Sequence, residues 1–256
     1  MPPRRLQLVL SSLLLVAVVA ACSFSPSSTS GSTGGSSGQA ASTSDCANAY
    51  FPNAAGDNWS YSSSGSSLGN YTFTRTVSSA DASSFTMDEV YSTGVNASIK
   101  WNCQNGNLAA LDAGQASLSM ASKSFTLNTT STTAEGYNVP NSFAPGNAWT
   151  ETVTVTGSIT SGSKTRDGQI LSNLKCTSAG NDKITVPAGT FDTVKASCTE
   201  TLEIDALIQA TPLPATAPIT INVTNWYAKG VGLVQSDRQN SASGAQTIVL
   251  TAYKLP

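Results

Sequence analysis

Histidine is absent from all 256 residues of the chain. Its absence excludes Ser-His and Cys-His nucleophilic catalysis, histidine-bound zinc and the usual proton carrier at neutral pH. Charged residues are also scarce, at 11% of the chain, and no lysine- or arginine-rich run occurs. The protein is therefore not expected to bind nucleic acid. No calcium-loop, P-loop or dinucleotide-binding signature is present, so no cofactor is predicted.

Short serine motifs occur, but they lack the companions that would make them catalytic. The G-x-S-x-G pattern of a nucleophile elbow appears at residues 34–38 and 65–69, and S-x-x-K appears at residues 161–164 and 172–175. A chain rich in Ser and Gly contains such short patterns by chance. Neither a histidine base nor the S-D-N and K-T-G motifs accompany them. The sequence therefore argues against acyl-enzyme chemistry.

A pair of carboxylates remains as a catalytic alternative, because a glycosidase needs only two of them. The candidates are Asp88, Glu89, Glu151, Glu200, Glu203 and Asp205. Asp88 and Glu89 would face opposite sides of a strand, which argues against that pair, whereas Glu200 would share an apolar face with its neighbours. A carboxylate-dependent hydrolase is kept as an alternative to the non-enzymatic protein that the sequence favours.

The first 22 residues have the features of a secretory signal peptide. Arg4 and Arg5 precede an apolar run of about 14 residues, which ends in small residues before Cys22. This run is too short for a membrane-spanning helix, which needs roughly 20 residues. Residues 19–22, Val-Ala-Ala-Cys, resemble the lipobox of bacterial lipoproteins. This resemblance implies cleavage after residue 21 and acyl chains such as palmitate on Cys22; the alternative is an ordinary signal peptide that leaves a free thiol.

A flexible tether is predicted behind Cys22. Residues 23–45 are almost wholly Ser, Thr, Gly and Ala and carry no charge before Asp45, so they cannot form a core. The chain thus divides into a signal peptide (1–21), the lipidated Cys22 with its tether (22–45) and a folded domain (46–256). The predicted location is the extracytoplasmic face of the cell membrane or of an outer membrane, with the acyl chains as the anchor.

Besides Cys22, the chain has four cysteines: Cys46, Cys103, Cys176 and Cys198. An even number in an exported chain predicts two disulfide bonds, for which three pairings exist. Metal ligation is disfavoured because no two of these cysteines lie within five residues of each other and no histidine is present. The pairing of Cys46 with Cys103 and of Cys176 with Cys198 is favoured, since each bond closes the more local loop.

Apolar and polar residues alternate with a period of two along most of residues 46–256. For example, Ile99, Trp101 and Cys103 share one face of a segment whose other face carries Lys100 and Asn102. The content of β-branched residues favours strands over helices, and turns rich in Gly, Asn and Asp separate them. The predicted fold is all-β and antiparallel, as a strongly curved sheet, a half-barrel or a sandwich.

A short internal similarity raises the question of a duplication. Residues 56–60 (Gly-Asp-Asn-Trp-Ser) correspond to residues 146–150 (Gly-Asn-Ala-Trp-Thr), and each set follows a Phe and a Pro. Two pseudo-repeated halves of about 90 residues would explain the similarity, and chance is the other explanation for so short a match.

Three motifs resemble those of a family of poorly characterised bacterial lipoproteins labelled TapB-like. They are Tyr50-Phe51-Pro52 with Gly56 and Trp59-Ser60-Tyr61, the segment 184–195, and the segment 226–234 (Trp-Tyr-Ala-Lys-Gly-Val-Gly-Leu-Val). The resemblance implies a curved antiparallel sheet, distantly similar to the half-barrel lipoprotein carriers of the bacterial envelope. It implies no established activity and no catalytic residues.

Trp226, Tyr227 and Lys229 are candidate ligand-binding residues within the last motif, and ordinary packing of the two rings is the alternative. The favoured function is that of a non-enzymatic lipoprotein whose β-domain binds a hydrophobic or envelope-derived ligand. The alternative is an accessory or assembly subunit that docks on another envelope protein. An apolar concavity above about 300 Å³ would favour a ligand, and a flat exposed apolar patch would favour a protein partner.

Overall fold

The alternation of apolar and polar residues produces β-strands throughout, and the predicted all-β fold is confirmed in a computed structural model of the chain. The structure describes residues 44–65, 69–112, 125–161, 163–208, 211–212, 218–241 and 244–256. Residues 1–43, including Cys22, lie outside these ranges, so the three-part division and the lipidation stay predictions. The described residues include no helix long and apolar enough to cross a membrane.

The strands follow one another along the chain with few interruptions. They are β1 (Asn58–Ser64), β2 (Tyr71–Ala80), β3 (Ser84–Tyr91), β4 (Asn96–Gln104), β5 (Asn107–Ala110), β6 (Phe125–Gly136), β7 (Ala148–Ser161), β8 (Lys164–Val186), β9 (Gly189–Ile208), β10 (Thr211–Pro212), β11 (Ile219–Ala228), β12 (Gly232–Asn240) and β13 (Gly244–Lys254).

Twelve of these strands form one antiparallel sheet in the order β5-β4-β3-β2-β1-β13-β12-β11-β9-β8-β7-β6, and the short β10 pairs only with β9. Apart from β5 and β6, consecutive strands of this order in the chain are neighbours in the sheet, and β1 joins β13. The two outer strands, β5 and β6, approach each other where Leu108 on β5 exchanges backbone hydrogen bonds with Val139, just after β6. The sheet is thus a nearly closed up-and-down barrel.

The apolar residues of the alternating pattern fill the barrel. Aromatic rings dominate one region: Phe85 stacks on Trp101 with ring centroids 5.5 Å apart, and Phe73 stacks on both Tyr61 and Tyr91 at 5.0 Å. Each ring is buried, and burying a side chain of this size stabilises the fold by about 2–3 kcal/mol. A smaller cluster of Val153, Val155 and Ile170 fills the region between the long strands.

One end of the barrel is covered, and we call it the closed end. The chain segment 44–57 crosses it: Asn48 donates through Nδ2 to the carbonyl oxygens of Gly106 and Pro140 at 2.7 and 2.9 Å, and the N–H of Gly230 donates to Ala49. Gly106 has a positive φ of 77°, and a Cβ there would lie 2.7 Å from a backbone oxygen of the segment. Only glycine fits so close an approach.

The hairpin between β8 and β9 also contributes to the closed end. A bulge between Ser178 and Gly180 bends the long strands, and the N–H of Ala188 at the hairpin tip donates to the carbonyl of Leu250 on β13 at 3.2 Å. Segments from both ends of the chain and from its middle therefore meet at the closed end.

The opposite end, where β1, β5 and β12 end and β2, β6 and β13 begin, is called the open end. Inward-facing residues become less buried toward it. On β4, Trp101 is buried while Ala97 and Ile99 are partly exposed. On β11, Ile221 is buried while Ile219 is partly exposed, and on β12 the same change occurs between Ser236 and Arg238. The open end thus presents part of the barrel lining to solvent.

The structure contains both disulfide bonds of the favoured pairing. Cys46 bonds to Cys103, which ties the closed-end segment to β4. Cys176 bonds to Cys198, and these two residues lie directly opposite each other on β8 and β9. The first bond closes a loop of 57 residues and contributes about 4 kcal/mol in the chain-entropy treatment.

The internal similarity has a common local structure. In the first copy the N–H of Gly56 donates to Val77 and the N–H of Val77 donates to Asp57; in the second, Gly146 and Asn147 make the same two bonds with Ser178. Each turn leads into a strand whose first large inward residue is a buried Trp. The five-residue match therefore encodes one repeated turn, and the duplication of whole halves stays a prediction.

Candidate functional site

A buried ion pair lies on the inner face of the barrel. Arg75 on β2 is directly opposite Glu89 on β3, and its Nε lies 2.6 Å from Glu89 Oε1. The second carboxylate oxygen accepts a hydrogen bond from the Tyr91 hydroxyl. The Glu89 side chain is only 3% exposed. Both oxygens of Glu89 are therefore engaged by side chains of the barrel wall, one by Arg75 and one by Tyr91.

Aromatic side chains lie close to the Arg75 guanidinium. Its central carbon lies 5.4 Å from the ring centroids of Tyr61 and Phe73, within the range of cation–π attraction. The Tyr61 hydroxyl donates to the carbonyl of Leu233 at 3.0 Å. Burial raises the pKa of Tyr61 and of Tyr91, so both phenols stay neutral and act as hydrogen-bond donors.

Glu151, on β7, lies at the seam of the barrel, which is the place where the outer strands β5 and β6 approach each other. Its Oε1 accepts from the N–H of Ala110 on β5 at 2.8 Å, and its Oε2 accepts from Asn138 Nδ2 at 2.9 Å. Burial raises the pKa of Glu151 to about 7, although the two hydrogen bonds oppose that rise. The carboxyl group therefore changes charge near neutral pH while it links β7 to β5.

Two of the other acidic candidates, Asp88 and Glu200, make local hydrogen bonds to serine hydroxyls. Asp88 accepts from the Ser98 hydroxyl at 2.6 Å and faces away from the inward Glu89. Glu200 accepts from Ser172 at 2.8 Å, and the cross-strand register places Leu174 between Glu200 and Glu151. Whether any of these carboxylates takes part in hydrolysis stays untested.

The residues predicted to bind a ligand point in different directions. Tyr227 faces inward, where its ring packs on Phe143 and burial raises its pKa to about 12. Trp226 faces the outer side of β11, and its Nε1 donates to Asp182 at 3.0 Å. Lys229 is exposed in the turn after β11. The structure does not bring the three side chains together, and a ligand role for them stays a prediction.

The sequence motifs meet at the closed end instead. The indole Nε1 of Trp59, in the first motif, donates to the carbonyl of Val231 in the last motif at 2.6 Å. The same ring covers Gly232, where a Cβ would lie 3.5 Å from Nε1. This contact of an indole ring with bare backbone gives both motifs a structural role.

The space left inside the closed end is small. Between Trp59, Tyr61, Arg75 and Met87 a cavity of about 10 Å³ remains, which is room for one water molecule at most. Three larger grooves of about 540 to 710 Å³ are open to solvent; polar surface predominates in two of them, whereas the one beside Thr156, Gly157 and Gly168 exposes mainly apolar surface. Within the described residues, the closed end therefore has no room for a hydrophobic ligand.

Comparison with solved structures shows what the chain is similar to. It resembles a candidate lipoprotein from Parabacteroides distasonis ATCC 8503 at 21% identity and a TM-score of 0.55, over 81% of this chain and 99% of that one. A candidate exported protein with a YmcC-like fold from Bacteroides fragilis NCTC 9343 matches at 14% identity and a TM-score of 0.48, over 82% of this chain and 100% of that one. The first likeness supports the fold.

A weaker match is the hypothetical lipoprotein YmcC from Escherichia coli K12, at 11% identity and a TM-score of 0.32, over 86% of this chain and 91% of that one. No curated protein matches the chain. The narrower TapB-like resemblance stays a prediction. A family model described as DUF3108-like matches residues 69–247, most of the barrel, and the chain belongs to this DUF3108-like family.

Proposed function

We propose that the protein is a non-enzymatic, lipid-anchored protein of the extracytoplasmic side that binds a hydrophobic ligand at the open end of its barrel. The signal-like start, the lipobox at residues 19–22 and the Ser/Gly-rich tether support the anchor. The motif resemblance to TapB-like lipoproteins agrees with it, and the Parabacteroides protein of similar fold is itself described as a candidate lipoprotein.

The loss of burial along the lining toward the open end is the observation that carries the binding proposal. Three inward-facing residues near the open end, Ala97, Ile99 and Ile219, remain partly exposed. Inward-facing residues of the same strands nearer the closed end, such as Trp101 and Tyr227, are buried. Apolar surface that faces the inside of a barrel and stays in contact with water gains about 25 cal/mol for each Å² that a ligand covers. The open end is therefore the part of the described barrel that supports a hydrophobic ligand best.

Docking on another envelope protein has less support. The large apolar side chains exposed in the described part of the chain are Val90 and Tyr253, at 54% and 41% exposure. Val90 lies near the end of β3 and Tyr253 near the end of β13, so the two residues do not form the contiguous apolar patch expected of a protein interface.

The Ala97→Trp variant is expected to weaken binding of the uncharged fluorescent probe N-phenyl-1-naphthylamine about tenfold, because the new ring occupies the open end. Fluorescence titration of residues 22–256 carrying Cys22→Ser, which removes the acylation site, measures the dissociation constant. Asn96→Trp is the matched control, since Asn96 is exposed on the outer face of the same strand. Ile219→Asn tests the same lining without added bulk. Absence of probe binding by the parent chain, or equal effects of Ala97→Trp and Asn96→Trp, would refute the proposal.

The anchor is tested separately. Cells grown with a radiolabelled fatty acid are expected to label the wild-type protein and not Cys22→Ser, because Cys22 is the predicted acylation site. The other four cysteines are paired in disulfide bonds and serve as an internal control. Label that persists in Cys22→Ser would show that the lipobox interpretation is wrong.

A further inference from the structure

Arg238 is a cation on the inner face of the barrel near its open end. It lies on β12 between Val223 on β11 and Gln246 on β13, which are its neighbours in register. The inward direction is set by Gln246, whose side-chain amide donates to Ser63 and Tyr71 inside the barrel at 2.8 and 2.6 Å. The arginine side chain is partly buried.

Within the described residues, Arg238 forms no ion pair. Its Nε donates to the hydroxyl of Ser236 at 3.3 Å. All 15 acidic residues of the chain belong to the described part, and the ion pairs given for it, Arg75 with Glu89 and Lys183 with Asp192, do not include Arg238. Arg238 differs in this respect from Arg75, which also faces the interior but forms an ion pair with Glu89.

The surroundings of Arg238 combine this charge with apolar and neutral polar groups. Ile221 and Ile219 extend from Val223 toward the open end on the adjacent strand. The positive charge of Arg238 acts on Tyr91 and Tyr227, where it partly offsets the rise in pKa that burial causes. Asn225, on the closed-end side of Val223, has a buried Oδ1 that accepts no hydrogen bond from the described residues.

A partly buried guanidinium loses part of its hydration, and an anion that pairs with it would offset that loss. Arginine is suited to recognise carboxylate and phosphate groups, since its planar fork donates two parallel hydrogen bonds. We propose that the ligand is an amphiphile whose anionic carboxylate or phosphate pairs with Arg238, while its apolar part lies along the lining at the open end. This inference rests on the proposed function and adds the chemical class of the ligand.

The test compares anionic probes with neutral probes of the same shape. The first pair is cis-parinaric acid and its methyl ester at pH 8, and the second is a fluorescently labelled acylglycerol phosphate and the corresponding acylglycerol. The parent chain, residues 22–256 with Cys22→Ser, is expected to bind the anionic member of at least one pair about tenfold more tightly. The pair that shows the preference tells a carboxylate from a phosphate.

Arg238→Gln is expected to abolish the preference while the neutral probe binds within about twofold of the parent. Arg238→Lys is expected to keep part of it, because the charge remains without the fork. Lys175→Gln is the control, since Lys175 is exposed on the outer face of β8, and it should leave the preference intact. Thermal unfolding of each variant checks that it folds.

Equal binding of anionic and neutral probes by the parent, or a preference that survives Arg238→Gln, overturns the inference and leaves the proposed function standing. Failure of every probe to bind overturns both.

Discussion

Replacing Glu89 with alanine is expected to lower the free energy of unfolding by about 3–5 kcal/mol, the usual cost of breaking a buried ion pair. The change leaves the Arg75 guanidinium inside the barrel without its partner at 2.6 Å and leaves the Tyr91 hydroxyl without its acceptor. Equilibrium unfolding in urea, with the disulfide bonds intact, measures the loss as a shift of the midpoint.

Two further variants separate the ion pair from other effects of the substitution. Asp88→Ala changes the neighbouring carboxylate, which faces outward and accepts from Ser98, and should cost less than about 1 kcal/mol. The double variant Arg75→Met, Glu89→Leu removes both charges and should recover most of the lost stability, because no unpaired charge remains. A Glu89→Ala protein as stable as Asp88→Ala would mean that the pair does not hold this part of the barrel together.

Local patterns predicted the strands and their inward faces well. Period-two alternation identified the buried side of β4, and the turn at Asn105 and Gly106 has the positive φ angles of 51° and 77° that its residue types favour. The opposite orientations of Trp226 and Tyr227 also follow from position along one strand. These features depend on residues close in sequence, which is why sequence alone reveals them.

The ion pair between Arg75 and Glu89 was missed for a physical reason. Arg75 shares its face with Tyr71 and Phe73, so its position predicts that it faces inward, but a search for apolar alternation passes over a charged residue. Its partner is set by the register between β2 and β3, which includes a bulge after Val77. Registers of this kind depend on packing across the whole sheet and cannot be deduced from a single strand.

The closure of the barrel is beyond local prediction as well. It depends on the pairing of β1 with β13 at opposite ends of the described chain and on the contact of Glu151 with Ala110, 41 residues away. The sequence predicted a curved sheet, a half-barrel or a sandwich, and these long-range contacts decide in favour of a nearly closed barrel. Glu151 is thus a structural residue that its sequence position did not distinguish from the other acidic residues.

The position of Glu151 at this seam predicts an unusual dependence of stability on pH. Burial raises its pKa from an ordinary 4.5 to about 7 in the folded chain. Between these two values the folded state holds a proton that the unfolded state has released. Stability is therefore greatest below pH 4.5 as far as this group is concerned, and it falls as the pH rises through the window to 7.

Glu151→Gln is expected to remove this dependence. The pKa difference between folded and unfolded chain amounts to roughly 3 kcal/mol, so the stability of the variant relative to wild type should rise by about that much from pH 4 to pH 8. A constant offset of about 1–3 kcal/mol against the variant is expected in addition, because an amide can accept only one of the hydrogen bonds from Ala110 and Asn138. Urea unfolding at each pH gives the difference, in which the contributions of all other groups cancel. Glu135→Gln, at an exposed position on β6, should give a flat difference; a flat difference for Glu151→Gln would show that this carboxyl group titrates as an exposed one does.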